Sequence, residues 1–139
     1  MYLSNFKFRS IVVTGTNGKS TTCKIITHLL KKNKYNVDIG GNIVRPVLNL
    51  KMKKNIFLVI EASSFQLSHS KFVHPNYAIL LNISNDHLDW HGSTHSYIQS
   101  KLKIFSLQNK NNFALVNENL KNIFKTKKFL SRLIPIKSE

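Results

Sequence analysis

The chain has 139 residues, enough for one domain with a real core and too few for two, and its 42% apolar content is ordinary. No run approaches the roughly 18 uninterrupted apolar residues of a membrane span. The first nine residues lack the apolar stretch of a secretory leader, and the single Cys23 excludes an internal disulfide, so a cytoplasmic protein with no membrane partner is expected.

The formal charge of +15 invites a nucleic-acid reading. Its lysines are scattered, however, into Lys31, Lys32 and Lys34, then Lys51, Lys53 and Lys54, then Lys121, Lys125, Lys127 and Lys128. These groups fall at or beyond the ends of predicted elements, where solvated charge belongs, and no nucleic-acid partner is expected.

In chain order, Ser10 to Thr14 (SIVVT) is a short apolar, β-branched run that predicts a buried strand. A helix follows from Lys19 to about Lys32, with Ile25, Ile26, Leu29 and Leu30 expected on its apolar face. Val37 to Ile39 allows a second short strand before Gly40 and Gly41, and Val47, Leu48 and Leu50 suit a short helix after Pro46. Asn55 to Glu61 (NIFLVIE) and Tyr77 to Ile83 (YAILLNI) read as further buried strands. Ser93 to Leu107 predicts a helix, capped by Ser93 or Thr94 and burying Tyr97, Ile98, Leu102 and Phe105. Asn112 to Val116 is another strand, and Leu133 to Ile136 a candidate for one more. Continuous apolar strands alternating with helices predict an α/β fold, a mostly parallel sheet with helices on both faces.

The first strand runs into Thr14-Gly15-Thr16-Asn17-Gly18-Lys19-Ser20-Thr21. Gly15 and Gly18 let successive N–H groups turn towards one anion, and the helix starting near Lys19 adds its positive end. Lys19 supplies a charge for the β and γ phosphates, and the Ser20 or Thr21 hydroxyl can hold Mg²⁺. ATP and Mg²⁺ are the expected cofactors, bound by residues 15 to 21. The general phosphate-loop pattern has a glycine where this chain has Val13.

Glu61 closes a strand near that loop, and ligands of open α/β sheets lie beyond the carboxyl ends of the strands. A carboxylate there can hold Mg²⁺ on ATP phosphates. Asn82 to Asp89 (NISNDHLD) follows the next strand and brings Asp86, His87 and Asp89 to the same edge; a neutral His87 can ligate a metal with an aspartate orienting it. Taken alone, Glu61 could be an exposed strand end and a lone His–Asp pair would more simply be a structural hydrogen bond; their place in series with the phosphate loop favours the metal reading.

The loop TGTNGKS, residues 14 to 20, resembles the signature of the Mur ligases and their folylpolyglutamate synthase relatives. Residues 61 to 67 (EASSFQL) and Gly40-Gly41-Asn42-Ile43 are similar to segments of the D-glutamate-adding branch of that family, and residues 82 to 89 to its N-x-x-x-D-H-x-D motif. The resemblance implies an ADP-forming ligase core that adds D-glutamate to UDP-N-acetylmuramoyl-L-alanine in peptidoglycan synthesis. It implies Lys19, His87 and Lys101 as catalytic, Ser20, Glu61, His87 and Lys101 around Mg²⁺, and Asn42, Ser63, Ser64 and Gln66 facing substrate. Lys101 matches a lysine that the family carries as a carbamate. Trp90 departs from the pattern, which commonly has arginine there.

The match implies a lead-in over residues 1–10 and a truncated central ATP-binding domain over 11–139. The family's N- and C-terminal domains are missing here and could be on another chain. The alternatives are a nucleotide-binding module without ligase chemistry and a basic nucleic-acid binder.

Overall fold

A computed structural model describes residues 8–51, 53–84 and 93–137. Its centre is a six-stranded sheet in the order β2-β3-β1-β4-β5-β6, built from β1 (Phe8–Thr14), β2 (Asn36–Gly41), β3 (Ile56–Glu61), β4 (Tyr77–Leu80), β5 (Phe113–Asn117) and β6 (Arg132–Ile136). All five pairings are parallel. β1 therefore has a neighbour on each edge and cover on each face, which is why its apolar run has no polar alternation.

Successive β1 side chains serve opposite layers, as strand geometry requires. Ile11 and Val13 pack with Val59, Ile79 and Cys23 of helix α1 (Lys19–Lys32). Val12 joins Ala78, Leu80 and Ala114 on the other face. There they meet Leu67 of α2 (Ser64–His69), Leu102, Ile104 and Phe105 of α3 (Thr94–Ser106), and Phe124 of α4 (Lys121–Thr126). Phe105, Phe124 and Phe129 form an aromatic knot with ring centroids 5.1 to 5.5 Å apart.

Several details differ from the sequence-based expectation. Helix α1 turns Cys23, Ile26, Thr27 and Leu30 inward, at spacings of three and four, whereas Ile25 and Leu29 are about half exposed. β1 begins at Phe8, so the chain is already in the sheet two residues before Ser10. β4 stops at Leu80, because the next residues pair with the loop after β1: Leu81 donates to the Thr14 carbonyl at 3.0 Å and Thr16 to the Asn82 carbonyl at 3.1 Å. Helices α2 and α4 were not foreseen, and the expected short helix near Val47 is a 3-10 turn, Val47–Asn49, burying Leu50 and exposing Leu48.

The loop after β2 is bound tightly to its surroundings. Gly41 donates to the Arg45 carbonyl at 2.9 Å, and Asp38 holds Arg45 in a 2.9 Å ion pair while accepting from the Lys51 amide. Val44 is the centre of a three-residue turn closed by a 2.6 Å bond from Arg45 N–H to the Ile43 carbonyl, with a φ of 60°. A β-branched residue is strained there. Val44→Gly is expected to stabilise the chain by about 1 kcal/mol, raising the melting temperature by about 3 °C. Calorimetry showing a lower melting temperature would contradict this.

Candidate functional site

The carboxyl ends of β1, β2 and β3, the starts of α1 and α2, and one face of α3 surround a cleft of about 460 Å³, whose walls include Gly15, Thr16, Lys19, Asn42, Ser63 and Lys101. The loop of residues 14 to 20 forms one wall. Gly18, at the cap of α1, has a φ of 82°, a left-handed conformation that turns the chain into the helix without a Cβ penalty. Thr14 anchors the loop below by donating to the Ala62 carbonyl at 2.8 Å.

Lys19 is folded back over this loop. Its Nζ donates to the Gly15 carbonyl at 3.0 Å and the Thr16 carbonyl at 2.8 Å. The next residue, Ser20, donates to Glu61 Oε2 at 2.6 Å, while Thr21 is exposed. Of the two candidate hydroxyls, Ser20 therefore faces the carboxylate. Glu61 is only 2% exposed, and its other oxygen accepts from Asn42 Nδ2 at 3.1 Å. Backbone register sets this meeting: Gly41 and Val13 lie opposite Glu61 in the neighbouring strands, and Asn42 N–H donates to the Glu61 carbonyl at 2.9 Å.

Lys101 enters from α3 and is 2% exposed. Its Nζ donates to the Gly15 carbonyl at 2.8 Å and sits 4.6 Å from the centroid of the Tyr97 ring. Burial, and then the nearby Lys19 ammonium, pull its pKa from 10.5 down to about 8. About a tenth of Lys101 is then neutral amine at pH 7, against well under a thousandth for an ordinary lysine. Two lysine side chains thus converge on one carbonyl. Among the described residues, the ion pairs are Arg45–Asp38 and Lys121–Glu118, so neither lysine meets a carboxylate. Such a cleft favours an anion.

Tyr97 takes part in the site although its sequence position suggested only core packing. Its hydroxyl shares a 3.0 Å hydrogen bond with Thr16 Oγ1, which also accepts from Ser84 N–H at 2.9 Å. The sole hint was a phenol on an otherwise apolar helix face, where a buried hydroxyl needs a partner.

Ser63 and Gln66 bind one another. Ser63 Oγ accepts from Gln66 N–H at 3.2 Å and Gln66 Oε1 accepts from Ser63 N–H at 3.0 Å, a capping box that starts α2 with Ser64 buried beneath it. The SSFQL segment thus builds a helix start at the rim of the cleft. Cys23 lies nearby in α1, and burial pushes its thiol up to about 12, so it is inert packing. His87, Asp86 and Asp89 lie outside the described residues.

The oxygen donors fit a small hard cation. A buried carboxylate and a hydroxyl 2.6 Å apart, with a carboxamide beside them, are the donor types Mg²⁺ takes when it keeps most of its ligands for water and phosphate.

A family model described as the Mur ligase middle domain matches residues 13–134. The UDP-N-acetylmuramoylalanine–D-glutamate ligase of Natranaerobius thermophilus is 41% identical over 111 residues, which cover 78% of this chain and 24% of that enzyme. The enzyme of the same name from Wolbachia pipientis wMel is 45% identical over 126 residues, covering 91% of this chain and again 24% of the relative. The chain spans about a quarter of the length of the curated relatives it matches. Among solved structures, MurF ligase from Thermotoga maritima in complex with ADP superposes with a TM-score of 0.78 at 24% identity, over 99% of this chain and 34% of that one. Escherichia coli FolC in complex with DHPP and ADP gives 0.60 at 17% identity, over 90% and 42%. These two likenesses concern the fold.

Proposed function

The chain belongs to the Mur ligase middle-domain family, and from that premise we propose that it is the nucleotide-binding core of an ADP-forming ligase that joins D-glutamate to UDP-N-acetylmuramoyl-L-alanine. The observation that carries this reading is the meeting of Lys19 and Lys101 on one carbonyl, next in the chain to the Ser20–Glu61 hydrogen bond, in a chain whose curated relatives bear that enzyme's name. The enzyme acts in the cytoplasm, and its remaining parts bind the UDP group and the amino acid, on this polypeptide's continuation or on another chain.

In this reading the substrate carboxylate takes the γ-phosphoryl group of ATP, giving an acyl phosphate and ADP. The amine of D-glutamate then attacks the acyl carbon and phosphate leaves. Lys19 exchanges its two loop carbonyls for phosphate oxygens and offsets their charge. Ser20, Glu61, His87 and Lys101 would hold Mg²⁺, which when bound would neutralise charge on the phosphates. The neutral amine fraction of Lys101 is the form that can add to CO₂, giving up a proton to solvent and leaving a carbamate whose anionic oxygens would suit that ion. Asn42 and the start of α2, with Ser63, Ser64 and Gln66, face the substrate. Positioning and electrostatics do the rest.

Titration of the purified chain with Mg·ADP tests the nucleotide half of this reading. Weak but measurable binding is expected, and Lys19→Met is expected to reduce it at least 100-fold, since one charge-assisted bond lost to each of two phosphates is worth about 3 kcal/mol. Equal binding by the variant would sink the assignment of the loop. The chain alone is expected not to turn over. Incorporation of labelled D-glutamate into UDP-N-acetylmuramoyl-L-alanine should require the whole ligase, with D-glutamate preferred over other amino acids.

A further inference from the structure

We propose that Asn82 is a positioning residue that decides which backbone N–H groups of the 14-to-20 loop face the bound anion. This rests on the reading of that loop as a phosphate site and adds to it a residue to which nothing above gives a task.

Asn82 follows β4 and brackets a single residue of the loop, Asn17. Its Oδ1 accepts from Asn17 N–H at 2.9 Å, and its Nδ2 donates to the Asn17 carbonyl at 3.1 Å. One carboxamide thus satisfies both backbone groups of one residue, which fixes the orientation of that residue about the chain axis. The Asn82 carbonyl also accepts from Thr16 N–H at 3.1 Å. Below, a Cβ on Gly15 would come within 3.0 Å of Leu81 Cβ and 3.3 Å of Asn82 N. The loop is shaped from outside, by the residues that follow a neighbouring strand.

Two consequences concern an anion. First, the N–H groups of Thr16 and Asn17 are already used, so they cannot be its seat. Among the described residues, the amides of this stretch left without a hydrogen bond include that of Gly18 and those of the first turn of α1, Lys19, Ser20 and Thr21, which precede the first intrahelical bond from Thr22 N–H to the Gly18 carbonyl. They lie beside the Lys19 ammonium and the Ser20 hydroxyl, so the anion sits at the helix start and away from the tip of the loop. Second, the Asn17 carbonyl, whose lone pairs would repel phosphate, is held towards Asn82.

Site-resolved amide exchange on the free chain, paired with Mg·ADP titration, tests this. In the unaltered chain Asn17 N–H should exchange slowly. In Asn82→Ala it should exchange at least tenfold faster, and affinity for Mg·ADP should fall about tenfold, the equivalent of one or two net hydrogen bonds. Asn82→Asp keeps the acceptor and loses the donor, so Asn17 N–H should stay slow; this variant also serves if the alanine variant does not fold. Unchanged Asn17 exchange in Asn82→Ala, or unchanged affinity, overturns the role given to Asn82. Failure of the unaltered chain to bind Mg·ADP at all overturns instead the phosphate reading on which it rests.

Discussion

Lys101→Met is expected to stabilise the protein at pH 7 while abolishing its use of nucleotide. The Lys101 side chain is 2% exposed and meets a carbonyl and an aromatic ring, with no carboxylate among the described residues to offset its charge. Its pKa in the folded chain is about 8 against 10.5 when exposed, so the folded state holds this proton more weakly than the unfolded state does. Below pH 8 both states carry the proton and the penalty is complete. Between pH 8 and 10.5 the folded state is neutral first, the unfolded chain binds more protons, and stability rises with pH. The 2.5-unit gap corresponds to about 3 kcal/mol at pH 7, an upper value before the lost hydrogen bond is subtracted. That loss is partly offset, because Gly15 O still accepts from Lys19. Denaturant titrations of both proteins in CO₂-depleted buffer should show the variant ahead at pH 7 and the difference closing towards pH 10.5. A variant that is weaker at pH 7, or a gap that does not change with pH, would show that the buried ammonium is not a liability.

Gly41→Ala is expected to be as damaging in the other direction. A Cβ on Gly41 would lie 2.2 Å from the Glu61 carbonyl oxygen and 3.0 Å from the Glu61 nitrogen, backbone atoms that cannot rotate away, and φ is 103°. The end of β2 must then part from the end of β3. The bonds from Asn42 to the Glu61 carbonyl and carboxylate go with it. A loss of about 3 kcal/mol or more and a fall of about 10 °C in melting temperature are expected. Gly18→Ala separates clash from strain: its φ of 82° is similarly unfavourable, yet a Cβ there meets only Leu81 Cδ1 at 3.7 Å. It should cost about 1 kcal/mol in stability. Equal stabilities of the two variants would mean that the strand ends can separate freely.

Much of the sheet was legible because its signals are local. Apolar runs such as Ile56 to Ile60 need no partner to be recognised, and a glutamate closing one of them stands at the strand end by construction. The loop into α1 was legible for the same reason. Helix α2 was missed because SSFQ is polar enough to pass for a loop, although a serine followed three residues later by glutamine is the mark of a capping box. The inward face of α1 was misassigned by weighing only large aliphatics: Cys23 and Thr27 are buried, and counting them rotates the face away from Ile25 and Leu29. Nothing local marks Lys101 as buried or joins Tyr97 to Thr16, which is 81 residues away. Such contacts exist only once α3 is laid across the carboxyl ends of the sheet.

Among the described residues, β6 is the outermost strand beside β5. Arg132 N–H bonds to the Asn112 carbonyl at 2.9 Å, so in a parallel ladder Arg132, Ile134 and Ile136 turn their amides inward and Leu133 and Pro135 turn outward. Proline has no amide hydrogen to offer on that open side. A strand arriving on that side finds its hydrogen-bonding row broken in the middle.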